Sequence, residues 1–342
     1  EGAEGFNYMT EDKNGYMSFK NGMDTEEKVR EFAQKALLFA KENNSVSSIK
    51  PIKANSSTVE FKDLELGYYL VDSTVGALCN LTTTNLNANI QEKNGLPLLE
   101  KYVFDKTYGQ YRHSNAAELG DTVEFKTTIT AKPGVEKYTL HDTMGNGLTF
   151  KNDLEVKIDN VKIPDNKMAI TYGTNNQDGC TFEIVFTQTF CDTLKANEQI
   201  IVTYSATLNE KAVIAGEGNK NTTKLTYGEN SETTYDTTTT KTYSIPVFKY
   251  TMKNNAETAL ASATFTLSKN RDGSEPINLV KTSEKNAPEN IYRVAKTGDA
   301  DTVTEVITPA SGKFTIKGLD ADTYYLTETK QPDGYNKLSA PI

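Results

Sequence analysis

Period-two alternation runs through this chain almost from end to end. In TVEFKDL, DTVEFKTTIT, KYTLHDT, CTFEIVFTQ, QIIVTYSATL, ATFTLSK, KFTIKGL and TYYLTET, apolar and polar residues largely alternate. A strand points successive side chains to opposite faces, so each run suits one wet face and one buried face. The runs are short, rich in Thr, Val, Ile, Tyr and Phe, and punctuated by Gly, Asn, Asp and Pro. That pattern predicts β-sandwiches rather than parallel α/β sheets. Helical spacing stands out once, in MDTEEKVREFAQKALLFAKEN, where Val29, Phe32, Ala33, Ala36, Leu37 and Phe39 form an apolar stripe. Asp24 is placed to cap that helix, with Glu27 three residues on. The expected class is all-β: tandem immunoglobulin-like sandwiches, with one α-helix in the N-terminal domain.

A length of 342 residues exceeds one small core and suits two or three domains. With 46 acidic against 37 basic residues, the formal charge is -9, and no basic stripe is available for nucleic-acid phosphates. No apolar run reaches membrane-spanning length. Cys79, Cys180 and Cys191 are not spaced as metal ligands, and His113 and His141 are the only histidines. Neither a cofactor nor a metal is therefore expected; calcium around Asp320 and Asp322 has no EF-hand-like pattern behind it. Cys180 and Cys191 flank TFEIVF and could meet as a disulfide or remain separate thiols. A phosphate loop, GxSxG, HExxH and a Cys–His pair are all missing from the sequence, which argues against a turnover enzyme.

FKDLELGYYLVDS (61–73) and FTIKGLDADTYYLTET (314–329) repeat one pattern, a strand, a turn at Leu and a YYL strand. Punctuation at EKNGLP and after TTYDTTTTKTY then divides the chain into 1–95, 96–243 and 244–342.

The succession GYYLVDS, EKNGLPLLEKYV, LGDTVEFKTTIT, YTLHDTMGNGLTF, IVTYSATLN, LTYGEN, IPVFKY, ATFTLSK and KGLDADTYYLTETKQPDGYN resembles sortase-assembled backbone pilins of Gram-positive bacteria. ETKQPDGYN resembles the family's E-T-x-A-P-x-G-Y hallmark, with Gln331 where Ala is usual. The resemblance implies a CnaB-like N-terminal domain lacking its opening strand, a middle collagen-adhesin A-type (CnaA) sandwich and a C-terminal B-type (CnaB) sandwich. It also implies a structural subunit of a cell-wall-anchored extracellular pilus. Its partners would be neighbouring pilin subunits, a class C sortase and ancillary pilins. A stalk-bearing ancillary pilin or MSCRAMM-type adhesin is the alternative.

The family's signature is a spontaneous amide bond between Lys and Asn side chains, assisted by a buried acid. Burial disfavours the ammonium and the carboxylate alike, leaving a nucleophilic amine and a protonated acid that can polarise the Asn carbonyl. By resemblance Lys101 in LPLLEKYVF takes the lysine position and Asp142 in YTLHDT the acid position. Asn230 in LTYGENSE takes the amide position, with Asn221 in NKNTTKL a rival and Lys106 a second candidate nucleophile. In the last domain Lys249 in IPVFKYT and Glu328 in YYLTETK take lysine and acid positions. Their Asn is expected on a strand beyond residue 342, leaving Lys249 unlinked in this chain. Lys93 in NIQEKNG takes the place of the lysine that a sortase joins to the next subunit; otherwise it is a solvated linker residue. Without the resemblance, Lys101 edging a strand and Asp142 in a turn is the commoner reading, whereas a solvent-facing Glu328 is opposed by the face it shares with Leu326 rather than Thr327.

Overall fold

The structure, a computed structural model, describes residues 7–42, 49–52, 59–65, 69–73, 76–80, 96–132, 134–176, 178–228, 231–282 and 290–342. Near the N-terminus the hairpin Met9–Glu11/Met17–Phe19 precedes the helix Glu26–Glu42. Thr25, rather than Asp24, sits at the helix start, its hydroxyl accepting from the Lys28 backbone N–H at 3.4 Å. A threonine oxygen directly before the first turn reaches that orphan donor with less chain between them. The predicted apolar stripe packs inward at Phe32, against the rings of Tyr8 and Phe19, and at the fully buried Ala33. The helix lies against a second hairpin, Tyr69–Ser73 with Gly76–Asn80.

From Leu98 to Lys241 the strands form two seven-stranded sheets. One carries Leu98–Asp105, Thr122–Thr130 and Gln199–Leu208 side by side. The other carries Phe182–Phe186, Thr139–Met144, Asn219–Tyr227 and Asp236–Lys241. Alternation sets which residues line the space between them: Val123, Phe125, Ile129, Val202, Leu140, Phe182, Ile184 and Leu225 are all buried. Polar residues at the same parity are buried with them, among them Lys101, Thr127, Asp142 and Asn221.

From Tyr243 onward a four-stranded sheet, including Tyr243–Phe248 and Lys313–Leu319, faces a three-stranded sheet. The latter includes Thr264–Ser268 and Tyr325–Lys330. Phe265 and Phe314 meet across the sheets with ring centroids 5.8 Å apart. Ile342 exchanges two backbone hydrogen bonds with Leu326, each 3.0 Å, so the final segment runs back beside Tyr325–Lys330. The two YYL copies pair differently. Tyr69–Ser73 folds back on its neighbour in sequence, whereas Tyr325–Lys330 pairs with Thr264–Ser268.

The two sandwiches touch through the turn after Ala116. Leu119 N–H donates to the Gly318 carbonyl at 3.0 Å. Lys296 reaches both Glu118 and Asp121 at 2.8 Å, and the Thr242 hydroxyl donates to the Leu319 carbonyl at 3.1 Å.

Candidate functional site

Lys101 and Tyr204 project from one sheet of the first sandwich, Asp142 and Asn221 from the other. Lys101, Asp142 and Tyr204 each lie between apolar residues of equal parity, and Asn221 shares its inward face with Asn219, Thr223, Leu225 and Tyr227, so forming the core carries all four polar groups inward. Lys101, Asp142 and Asn221 have no exposed surface and Tyr204 is buried. Lys101 Nζ donates to Asp142 Oδ2 at 2.5 Å and also hydrogen-bonds the Tyr204 hydroxyl. That hydroxyl donates to the same Asp142 oxygen at 2.5 Å and accepts from Asn221 Nδ2 at 3.2 Å. Aromatic rings enclose the group. Tyr204 stacks on Phe125 at 5.5 Å and meets Phe182 edge-on at 4.9 Å, while Lys101 Nζ lies 5.5 Å from the Phe125 ring centre.

Burial dominates the electrostatics. Desolvation pushes Lys101 below the usual lysine range, against the pull of Asp142. Desolvation likewise pushes Asp142 above the usual carboxylate range, against Lys101, and raises the Tyr204 phenol well above its ordinary value. Both shifts favour a neutral amine beside a protonated acid. Asp142 Oδ1 and Asn221 Oδ1 are buried acceptors without a hydrogen-bond donor, and a proton on the acid would supply one.

Asn230 and Lys93 lie outside the described residues. Lys106 is exposed and lies 3.6 Å from Asp121, away from the core. In the second sandwich Glu328 is buried on the same strand face as Leu326, opposite Phe265 in the register. Lys249 Nζ lies 2.8 Å from Glu328 Oε1 as an ion pair without hydrogen-bond geometry, and Glu328 Oε2 accepts from the Leu338 N–H at 2.8 Å. Cys180 and Cys191 do not form a disulfide; both are buried free thiols. The strand Phe182–Phe186 lies between them and holds their backbones at its opposite ends. At ~3.3 Å per residue this exceeds the roughly 7 Å limit for bridged Cα atoms.

Tyr204 is the residue sequence reasoning passed over. Its signal was present in QIIVTYSATL: a tyrosine on the inward parity of Ile200 and Val202 must find a buried polar partner for its hydroxyl.

Residues 247–342, within the C-terminal sandwich, match the family described as SpaA, a prealbumin-like fold domain. Among solved structures, the 35 kDa C-terminal fragment of the major pilin GBS80 of Streptococcus agalactiae is similar at 20% identity. The match covers 72% of this chain and 90% of that one, with a TM-score of 0.52. The pilus 2b backbone protein of group B streptococcus is similar at 23% identity over 71% of this chain and 87% of that one, TM-score 0.50. The T6 backbone pilin of Streptococcus pyogenes, a modular three-domain structure, is similar at 16% identity over 98% of this chain and 75% of that one, TM-score 0.53. These likenesses establish a shared fold. No curated protein matches the chain by sequence.

Proposed function

We propose that the chain is a structural subunit of a covalently polymerised cell-surface pilus shaft, locked internally by Lys–Asn amide bonds. The observation that carries this reading is the buried meeting of Lys101, Asp142 and Asn221 around one phenol. A neutral amine has two hydrogens and one lone pair. Lys101 directs hydrogens at Asp142 and Tyr204, so its lone pair remains available for the Asn221 carbonyl carbon. Asp142 Oδ2 already accepts two hydrogen bonds, so the acid's proton belongs on Oδ1, where it can polarise the amide oxygen. Attack forms the Nζ–Cγ bond, and the side-chain nitrogen of Asn221 departs as ammonia with the proton that Lys101 gives up. The fold supplies the proximity, and the reaction runs once per molecule.

The resulting tie would join the Leu98–Asp105 strand to the Asn219–Tyr227 strand of the opposing sheet. Tension on the chain ends then meets a covalent bond that no reductant cleaves, which suits a fibre outside the cell. In the second sandwich Lys249 and Glu328 are the corresponding lysine and acid. Linkage between subunits is assigned to Lys93, through a class C sortase, with ancillary pilins and a cell-wall anchor completing the fibre.

Intact mass and peptide mapping test the internal bond: a Lys101–Asn221 cross-linked peptide and the loss of one ammonia are expected from the first sandwich. A linear peptide map there would overturn it. Replacing Lys93 with Ala in cells carrying the matching sortase should abolish high-molecular-weight ladders; intact ladders would remove Lys93 from this role.

A further inference from the structure

On the outer face of the sheet, directly behind Asp142, a second polar cluster gathers His141, Asp178, Cys180 and Glu183. Their ligand atoms all lie within 4.8 Å of one another. Glu183 and His141 are directly opposed across the Phe182–Phe186/Thr139–Met144 pair. Asp178 and Cys180 come from the loop leading into that strand, which is fastened by the Thr181 N–H donating to the Asp142 carbonyl at 2.7 Å.

Thr226 Oγ1 pairs with His141 Nε2 at 3.1 Å and lies 3.5 Å from the Thr139 carbonyl, which fixes the orientation of the ring. Nδ1 faces the cluster, 2.9 Å from Asp178 Oδ2 and 3.4 Å from Glu183 Oε2. It makes no hydrogen bond to either, because those oxygens lie off its N–H direction. An imidazolium bridging two carboxylates would aim a proton at one of them. Cys180 Sγ donates to the Phe182 carbonyl at 3.2 Å, so its lone pairs remain for the cluster, where a nitrogen, two carboxylates and a sulfur converge as they would around a cation.

We propose that His141, Asp178, Cys180 and Glu183 form a binding site for a zinc-class divalent ion. Nitrogen and sulfur donors disfavour calcium and magnesium, which take oxygen, and four mixed donors fit tetrahedral zinc. Thr226 is the outer partner that orients the histidine, as such sites require. Binding would release the Cys180 thiol proton to solvent and form a metal–thiolate bond. Asp178 is 37% exposed at its side chain and Cys180 is 1% exposed, so the site opens to water on the aspartate side. An ion here would brace the strand that carries Asp142.

The test is a Co²⁺ titration of tag-free, metal-stripped protein, followed by competition with Zn²⁺. One equivalent of cobalt should bind, with a thiolate-to-cobalt charge-transfer band that zinc abolishes. Cys180→Ser should remove the band, and Thr226→Val should weaken affinity by roughly 10–100-fold. Glu183→Gln, at a half-exposed strand position, should weaken it in a chain whose circular dichroism is unchanged. His113→Ala is the control and should leave the spectrum intact. Failure of the folded protein to retain cobalt, or a band that survives Cys180→Ser, overturns the site. The readout is independent of whether the Lys101 bond forms.

Discussion

The Asn221 side-chain nitrogen lies 3.2 Å from the Tyr204 hydroxyl, and through that hydroxyl it shares a partner with Lys101 and Asp142. Asn221→Ala should therefore eliminate the cross-linked peptide and restore the lost ammonia, while Asn230→Ala leaves both unchanged. Loss of the tie should lower stability by about 4–5 kcal/mol, from the chain-entropy relation for closing loops of ~100 residues. Calorimetry beside mass spectrometry reads both effects. Equal cross-linking in Asn221→Ala would reject the assignment.

Tyr204→Phe keeps the ring against Phe125 and Phe182 and deletes only the hydroxyl. The bond should still form, but more slowly, because Lys101 loses one of its two anchors; Asp142→Ala should stop it. Folding cost is expected at about 1–3 kcal/mol, because three buried hydrogen bonds share that hydroxyl. A time course of ammonia loss after refolding separates the two variants.

Glu328→Ala should destabilise the second sandwich by about 2–4 kcal/mol. It strips Lys249 of its counter-charge and Leu338 N–H of its acceptor. The range sits at or below that of fully buried pairs because Lys249 keeps 14% of its side chain in water. Glu328→Gln keeps an acceptor for Leu338 and should cost less. Chemical denaturation of both variants gives the comparison.

Burial pushes the Cys191 thiol up to about 11. The folded state therefore keeps its proton in a range where the unfolded chain has lost it. Its contribution to stability is full below the unfolded value near 9 and declines as pH rises toward about 11. At pH 8, alkylation of Cys191 in native protein should be far slower than in denatured protein, as mass mapping would show.

Gly318 adopts φ +72°, and a Cβ there would sit 2.3 Å from Leu119 Cγ across the joint between the sandwiches. Gly318→Ala should cost about 1–3 kcal/mol through overpacking at that contact. The loss should appear as earlier proteolysis around residues 241–243.

Much of this was legible because a half-buried strand declares its faces. The alternation in DTVEFKTTIT and QIIVTYSATL predicts the inward residues found there, and the single amphipathic run is the long helix. Lys101, Asp142, Lys249 and Glu328 were named through resemblance, and their meeting depends on sheet-to-sheet packing that no local pattern encodes. Asn221 illustrates the boundary. It shares parity with Leu225 and Tyr227, a local signal, while its approach to the Tyr204 hydroxyl is set by how the two sheets pack. The His141 cluster was invisible to spacing, because one ligand comes from a neighbouring strand. The unlike pairing of the two YYL segments shows the same limit: equal strings take partners from their surroundings.

The turn at Leu119 and Asp121 has a mechanical corollary. Its Leu119 N–H and the Asp121 and Glu118 carboxylates all grip the second sandwich beside the direct chain connection at Thr242. Two attachments side by side resist rotation about the long axis, where a lone linker would act as a swivel. Torque applied to one of the two sandwiches would therefore be handed on to the other.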